Sequence, residues 1–162
     1  KKKQLIIKPY GIGIKNFESD IFMPRYRFLK KNYDLTTYSF FDKFYLNKQI
    51  NLDFKFRKNI SIIKKKIQNK KINKINTNID LIKIDTNGYE MQVIKGLKSI
   101  ISYSKPVIIL ETNQDILKIK NFLKEHSYND YYYDVKEKKL KRVKKKYPLN
   151  TFFLQKKHLK TN

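Results

Sequence analysis

Two short polar segments in the middle of the chain carry residue types that bind small ligands or move protons. Asp85-Thr86-Asn87-Gly88 follows the apolar run 81–84, and Glu111-Thr112-Asn113 follows the apolar run 107–110. Both runs have the length of buried strands, and ligands of open α/β sheets bind beyond the carboxyl ends of the strands. Neighbouring parallel strands lie about 4.8 Å apart, so the two segments are predicted to meet at one site.

The carboxylates of this predicted site allow two chemistries. A carboxylate can accept a proton from a substrate hydroxyl, and carboxylate and amide oxygens also suit a hard cation such as Mg²⁺. Asp85 is the leading candidate for either role, and Glu111 is the second. Structural explanations stay open beside these, because Glu90 in a first helical turn favours the helix dipole, while Asn87 and Gly88 are common turn residues.

The elements that must position these residues follow an alternating pattern from residue 79 onward. A helix is predicted to begin near Tyr89 and a second to cover 114–125. The residues that give the first helix one buried face are Val93, Leu97, Ile100 and Ile101. Strands are predicted at 81–84, 107–110, 128–133 and 151–154. This order predicts an α/β fold with a doubly wound, mainly parallel sheet.

The first half of the chain has weaker patterns. Residues 4–7 suggest a short strand, and residues 9–24 suggest a hairpin that turns at Glu18-Ser19-Asp20. Apolar alternation over 52–56 suggests an extended piece, whereas 61–79 has no regular period.

Several features that could indicate other sites are interpreted as structural. Gly11-Ile12-Gly13 is followed by turn residues rather than by a helix, so a hairpin is favoured over a phosphate-binding loop. His126 and His158 have no metal-ligand spacing, and Lys83 alternates with apolar neighbours, which indicates a solvent or sheet-edge role.

Composition limits the class of protein. The 162 residues fit one domain, contain no cysteine for a disulfide or thiolate site, and include no apolar run long enough to cross a membrane. These features predict a soluble, cytoplasmic protein.

The formal net charge of +24 would ordinarily suggest a nucleic-acid partner. Lysine supplies 34 of the 38 cationic residues and alanine is absent, which indicates an AT-rich coding sequence that loads lysine onto tolerant surfaces. Evolved phosphate sites more often use arginine, so a nucleic-acid partner is not favoured. The basic segment 136–146 is predicted to be a solvated hairpin, and it is also the best candidate for a polyanion patch.

The stretch Ile79 to Glu90, continued by Val93-Ile94-Lys95-Gly96, resembles the FkbM-type methyltransferase family, whose members show an IDLIKIDVEGxE segment. Pro106 to Glu111 matches the family's later P-x-I-x-x-E segment. The clear resemblance covers 79–113, with a looser fit from 4 to 155. It implies a Rossmann-like O-methyltransferase that uses S-adenosylmethionine and acts on a hydroxyl of a sugar, glycan or related small metabolite.

The resemblance also implies roles for individual residues. Asp85 and Glu90 would be catalytic, with Asp85 facing the hydroxyl and Glu90 supporting the loop. Asn87, Glu111 and Asn113 would border the substrate, and Asp85 with Glu111 are weak candidates for a divalent metal. Asn87 stands where the family usually has Glu.

The family's glycine-rich cofactor loop and its ribose-binding acid have no counterpart in the sequence. The chain is therefore expected to be a partial domain, 1–162, that resembles the C-terminal two-thirds of the family fold. Leu5–Ile7 would be the third strand, and the cofactor-binding residues would lie mostly upstream of Lys1. An alternative is a non-catalytic remnant of the fold that acts as a basic binding module for nucleic acid or another polyanion.

Overall fold

The structure, a computed structural model, describes residues 5–55, 57–72 and 78–159. This part of the chain forms two mixed β-sheets with four α-helices. The strands are β1 Gly11–Ile12, β2 Phe17–Phe28, β3 Lys31–Asp34, β4 Ile60–Lys70, β5 Leu81–Ile84, β6 Val107–Glu111, β7 Asn129–Asp134, β8 Lys139–Arg142 and β9 Asn150–Leu154. The helices are α1 Lys43–Asp53, α2 Glu90–Gly96, α3 Lys98–Ser104 and α4 Ile116–Glu125.

The second half of the chain forms a five-stranded sheet in the order β5-β6-β9-β7-β8. β5 and β6 are parallel neighbours, with Ile84 opposite Leu110. β9 runs antiparallel to both β6 and β7, and β7 forms an antiparallel hairpin with β8. All four strands predicted after residue 79 are confirmed. The basic segment 136–146 does not form a hairpin by itself: it supplies one strand, β8, which pairs with β7. The sheet is mixed, so the α/β class stands while a doubly wound Rossmann arrangement stays a prediction.

The core lies against this sheet because the apolar faces of the helices cover it. The predicted face of the first helix is buried, and Ile108, Leu110, Ile119 and Phe153 join it. The single predicted helix is two short helices, α2 and α3, which meet at Leu97. Leu97 still donates its N–H to Val93, so the buried face continues across the break.

The first half of the chain forms a four-stranded sheet in the order β1-β4-β2-β3. β2 and β4 are long antiparallel strands that pair from Phe17 opposite Asn69 to Tyr26 opposite Ile60. β1 adds to β4 in parallel. Ion pairs join the two long strands, including Lys64 with Asp20 at 2.6 Å and Lys65 with Asp34 of β3 at 3.2 Å.

Three predictions for this half are wrong. Residues 5–7 form no strand, and Gln4 lies outside the described residues. The hairpin expected over 9–24, including Gly11-Ile12-Gly13, does not form, because β1 pairs in parallel with β4 and Glu18-Ser19-Asp20 lies inside β2, where it pairs with β4. The extended piece expected over 52–56 is the end of α1 as far as Asp53, while Phe56 is outside the described residues.

Helix α1 begins at a side-chain cap. Asp42 Oδ1 accepts hydrogen bonds from the backbone N–H groups of Phe44 at 2.7 Å and Tyr45 at 3.4 Å. Leu46 and Ile50, one helical turn apart, bury one side of the helix. In the described part of the chain, no helix is long and apolar enough to cross a membrane.

Candidate functional site

The two predicted segments do meet at one edge of the five-stranded sheet. Asp85 follows β5 directly and Glu111 ends the neighbouring parallel strand β6. Their carboxyl groups share a hydrogen bond, which lowers the pKa of Asp85 and raises the pKa of Glu111. Burial and the negative charge of Asp85 raise the pKa of Glu111 further. The two carboxyl groups are therefore adjacent, and as the pH rises Asp85 loses its proton before Glu111 does.

Lys83 helps to hold the ionised member of this pair. Its ammonium lies 3.2 Å from Asp85 Oδ2 and 3.1 Å from Asn150 Oδ1, and the hydrogen bond to Asp85 also lowers the pKa of that carboxyl. The Asp85 side chain keeps 50% of its surface exposed. The ionised carboxylate is thus both fixed in place and open to a ligand.

Glu90 organises the loop that follows Asp85. Only 1% of this residue is exposed. Its carboxylate accepts hydrogen bonds from the backbone N–H of Thr86 at 2.9 Å and of Gly88 at 3.0 Å, and from the amide of Asn113. A buried carboxylate with three donors fixes the loop and joins it to the end of β6. Glu90 lines the first cleft, and the hydrogen bonds of its carboxylate make it a positioning residue.

Asn87 attaches this loop to the first half of the chain. Its φ of 50° and the φ of 99° at Gly88 lie in the left-handed region, which Asn and Gly adopt most readily. The Asn87 amide donates to the backbone carbonyls of Thr37 at 3.2 Å and Ser39 at 3.1 Å. Both hydrogen bonds need an amide donor, so the carboxylate that the family usually carries at this position cannot form them.

Asn113 is also engaged by the protein. Its amide donates to Glu90, and its Oδ1 accepts the backbone N–H of Asp115 at 2.8 Å, just ahead of α4. Asn87 and Asn113 both line the site, but the hydrogen bonds of their side chains hold the walls together.

Two adjoining clefts open at these strand ends, and both are lined by Asn87 and Glu111. The first has a volume of about 520 Å³ and lies between the loop and α1, with Lys48 and Gln49 on its far wall. The second, of about 590 Å³, contains Asp85 and Thr86. These volumes are typical of small-molecule sites. We refer to the two together as the acceptor cleft.

Thr86 is a site residue that the sequence analysis passed over. Its Oγ1 is buried and has no hydrogen-bond partner among the described residues, although Thr86 lines the acceptor cleft. A buried hydroxyl without a partner costs free energy unless a ligand or water satisfies it. Its position in the sequence could have identified it, because Thr86 follows Asp85 directly at the end of a predicted strand.

An aromatic pair supports the loop from its other side. The ring of Tyr89 stacks on that of Phe41, with centroids 4.0 Å apart and planes 21° from parallel. Burial raises the pKa of the Tyr89 hydroxyl. No sequence pattern linked these two residues, which are far apart in the chain.

The same residues decide whether the site can hold a metal ion or a cofactor. Within the ranges that the structure describes, no group of three or more His, Cys, Asp or Glu side chains is placed to hold a metal ion. A Cβ at Gly11 would lie 2.6 Å from Asn69 Oδ1, and one at Gly96 would lie 2.6 Å from the Gly13 carbonyl oxygen. These glycines allow close packing of the protein on itself, so they do not fit a cradle for S-adenosylmethionine.

The comparisons with known proteins agree with the motif. Residues 54–129, just under half of the 162, match the family model of the methyltransferase FkbM domain. The resemblance is confirmed over that range, which contains the whole of 79–113 and both strand ends of the site. No curated protein and no solved structure matches the chain at a significant level. The family match indicates methyltransferase activity.

Proposed function

We propose that this chain forms the acceptor side of an O-methyltransferase that uses S-adenosylmethionine. The acceptor is a hydroxyl of a sugar, glycan or related small metabolite. The observation that carries the proposal is the Asp85–Glu111 pair, in which two carboxyl groups at neighbouring strand ends line the same cleft. The methyltransferase family match over both strand ends supports the reaction class.

A hydroxyl becomes a better nucleophile when a base takes its proton as it reacts. Asp85 can take this role, because the lowered pKa keeps its carboxylate free of a proton and half of its side chain is exposed to a ligand. Because the pKa of Glu111 is raised and that of Asp85 is lowered, Asp85 is the carboxyl group of the pair that is assigned to accept the proton of the acceptor hydroxyl. Glu90 and Asn87 keep the loop in place, which fixes the position of the carboxylate relative to the bound hydroxyl.

S-adenosylmethionine supplies an electrophilic methyl group in this class of enzyme. Since Gly11, Gly13 and Gly96 pack against the protein itself, we propose that the residues that hold the cofactor lie outside the described part of the chain. A divalent metal is not needed for the proposed step, which requires only a base and an aligned acceptor.

The test is an acceptor screen with the native gene product and S-adenosylmethionine labelled in its methyl group. The panel contains neutral sugars, phosphorylated sugars, primary amines and carboxylic acids. We expect label on the oxygen of at least one sugar hydroxyl, identified by mass spectrometry as a methyl ether. Label only on amines or carboxylates would contradict the proposal. Absence of transfer to every acceptor, together with tight polyanion binding, would favour the non-catalytic basic module instead.

A further inference from the structure

A second concave surface lies beside the acceptor cleft and has the opposite charge. It has a volume of about 860 Å³ and lies between the β7–β8 hairpin and the segment that leads to β9. Six cationic side chains line it together with two tyrosines and a proline. These residues are Tyr132, Lys139, Lys141, Arg142, Lys144, Lys145, Lys146, Tyr147 and Pro148. We refer to this surface as the lysine groove.

The acidic residues near the lysine groove are already neutralised by other contacts. Asp134 pairs with Lys141 at 2.7 Å, and Glu137 pairs with Lys139 at 2.6 Å and also with Lys141. The buried Asp130 pairs with Lys120 at 3.0 Å. The ion pairs of the described residues include none from Lys144, Lys145 or Lys146, which leaves these three ammonium groups as uncompensated charge in the groove.

The walls of the lysine groove are fixed in position. Tyr147 donates its hydroxyl proton to Asp130 at 2.7 Å, and the N–H of Val143 donates to the carbonyl of Asp130 at 3.2 Å. The Arg142 guanidinium lies 5.1 Å from the centroid of the Tyr131 ring. The cations therefore project from an anchored segment, which reduces the conformational entropy lost when an anion binds.

A second run of three lysines differs from Lys144, Lys145 and Lys146 in having acidic partners. Lys64, Lys65 and Lys66 of β4 are also consecutive, yet each forms an ion pair with Glu18, Asp20 or Asp34. Lysine-rich composition supplied both triplets, but acidic partners accompany only the one on the four-stranded sheet.

The lysine groove and the acceptor cleft are connected by neighbouring residues of the chain. Pro148 lines the groove, Leu149 lines the cleft, and the Asn150 side chain accepts a hydrogen bond from Lys83, which holds Asp85. Three residues of extended chain reach at most about 11 Å, so Lys146 and Leu149 are close enough to contact one small molecule.

We propose that the lysine groove binds a phosphate or diphosphate group carried by the acceptor whose hydroxyl lies at Asp85. The inference rests on the proposed function and names the acceptor as a phosphate ester. Lysine ammonium groups bind phosphate as strong charged donors, and the volume of the groove, about 860 Å³, lies in the range of small-molecule sites. The occupant is therefore a phosphorylated or nucleotide-linked sugar, and a single-stranded nucleic acid is the competing outcome.

The first experiment measures binding to the 162-residue chain by NMR, with inorganic pyrophosphate as the probe. The triple variant K144Q/K145Q/K146Q is compared with K64Q/K65Q/K66Q, which removes the same charge elsewhere. We expect pyrophosphate to shift the amide signals of 139–148, the groove variant to bind at least about tenfold more weakly, and the control variant to stay within about twofold of the wild type. Equal weakening in both variants would overturn the proposal, because it would show nonspecific attraction to net charge. A short oligouridylate that saturates the groove where pyrophosphate leaves it unchanged would overturn it in favour of nucleic acid.

The second experiment separates this inference from the proposed function. Glucose, glucose 1-phosphate and a nucleoside diphosphate glucose are compared as acceptors for the native gene product. We expect the groove variant to raise KM at least about tenfold for the phosphorylated acceptor that the enzyme prefers, with kcat little changed, and to leave KM for neutral glucose unaffected. Efficient methylation of neutral sugars alone would uphold the proposed function and overturn the phosphate assignment. The pyrophosphate titration measures binding and does not depend on methyl transfer. It therefore tests the phosphate assignment even if no methyltransferase activity is found.

Discussion

The acceptor cleft and the lysine groove lie at the two ends of the segment 144–150, and they are built in opposite ways. The cleft presents the carboxyl groups of Asp85 and Glu111, and the loop between them and α2 is fixed by a buried network centred on Glu90. The groove presents exposed ammonium groups on consecutive residues, which act nearly independently. In a chain as basic as this one, charge identifies a site only where acidic partners are missing or where the charged group is held by a network.

Removing the centre of the network should have the largest effect. E90A leaves the N–H groups of Thr86 and Gly88 and the amide of Asn113 without their buried acceptor. We expect the free energy of unfolding to fall by about 3 kcal/mol, measured by urea denaturation. The control is E125A, which removes an exposed glutamate at the end of α4 and should change stability by less than about 0.5 kcal/mol. Equal stability of the two variants would refute the network.

The contact between the loop and the first half of the chain should contribute less. N87D replaces an amide donor by a carboxylate that faces the carbonyl oxygens of Thr37 and Ser39. We expect a loss of about 1–2 kcal/mol in urea denaturation, together with a weaker affinity for the acceptor. N78D introduces the same charge at an exposed position before β5 and should be nearly neutral. A stable N87D with unchanged affinity would show that the loop does not need this attachment.

The opposite pKa shifts of Asp85 and Glu111 predict a pH dependence of stability. The pKa of Glu111 is raised, so this residue stabilises the fold in its protonated form. Its contribution to stability is complete below the ordinary pKa of glutamate and is lost as the pH rises through the raised value. The lowered pKa of Asp85 gives a contribution that is lost only as the pH falls through that lowered value. E111Q keeps a hydrogen-bond donor at every pH, so its stability should improve relative to the wild type as the pH is raised from about 4 to about 8.

The control for this titration is E137Q on the β7–β8 hairpin. Hydrogen bonds from Lys139 and Lys141 lower the pKa of Glu137. The contribution of Glu137 to stability is therefore present at neutral pH and is lost as the pH falls, which is the opposite of the trend for Glu111. Thermal unfolding should show E137Q losing stability relative to the wild type as the pH rises. The same trend in both variants would contradict the opposite pKa shifts of Glu111 and Glu137.

Single changes in the lysine groove should have the smallest effects. K144Q, K145Q or K146Q alone removes one of several independent charges, so we expect pyrophosphate affinity to fall by less than about threefold in each. Screening by added salt should weaken binding further in proportion to the charges that remain. A loss of tenfold or more from one substitution would show that the groove is a specific network like the cleft.

The sequence predicted the site better than the sheet that supports it. Two apolar runs, each ending in a carboxylate, were enough to place Asp85 beside Glu111, because parallel neighbouring strands fix that proximity. Attachment of Asn87 to Thr37 and Ser39 was not predictable, since it joins residues that are distant in the chain and depends on the left-handed backbone of the loop.

The four-stranded sheet was missed for a different physical reason. Lysines on β4 hide its strand pattern, and the acids that neutralise them, such as Asp20 and Asp34, are far away in the sequence. Helix α1 had a readable signal in its cap at Asp42 with buried Leu46 and Ile50 one turn apart, but its weak amphipathic character obscured it.

The most direct test of the central claim is the turnover of D85N in the native gene product. The matched control is D80N, which makes the same chemical change at an exposed residue next to the opposite end of β5. The account predicts that D85N lowers kcat at least about tenfold with little change in acceptor KM, while D80N turns over like the wild type. Unchanged turnover in D85N would remove Asp85 as the base and contradict the account.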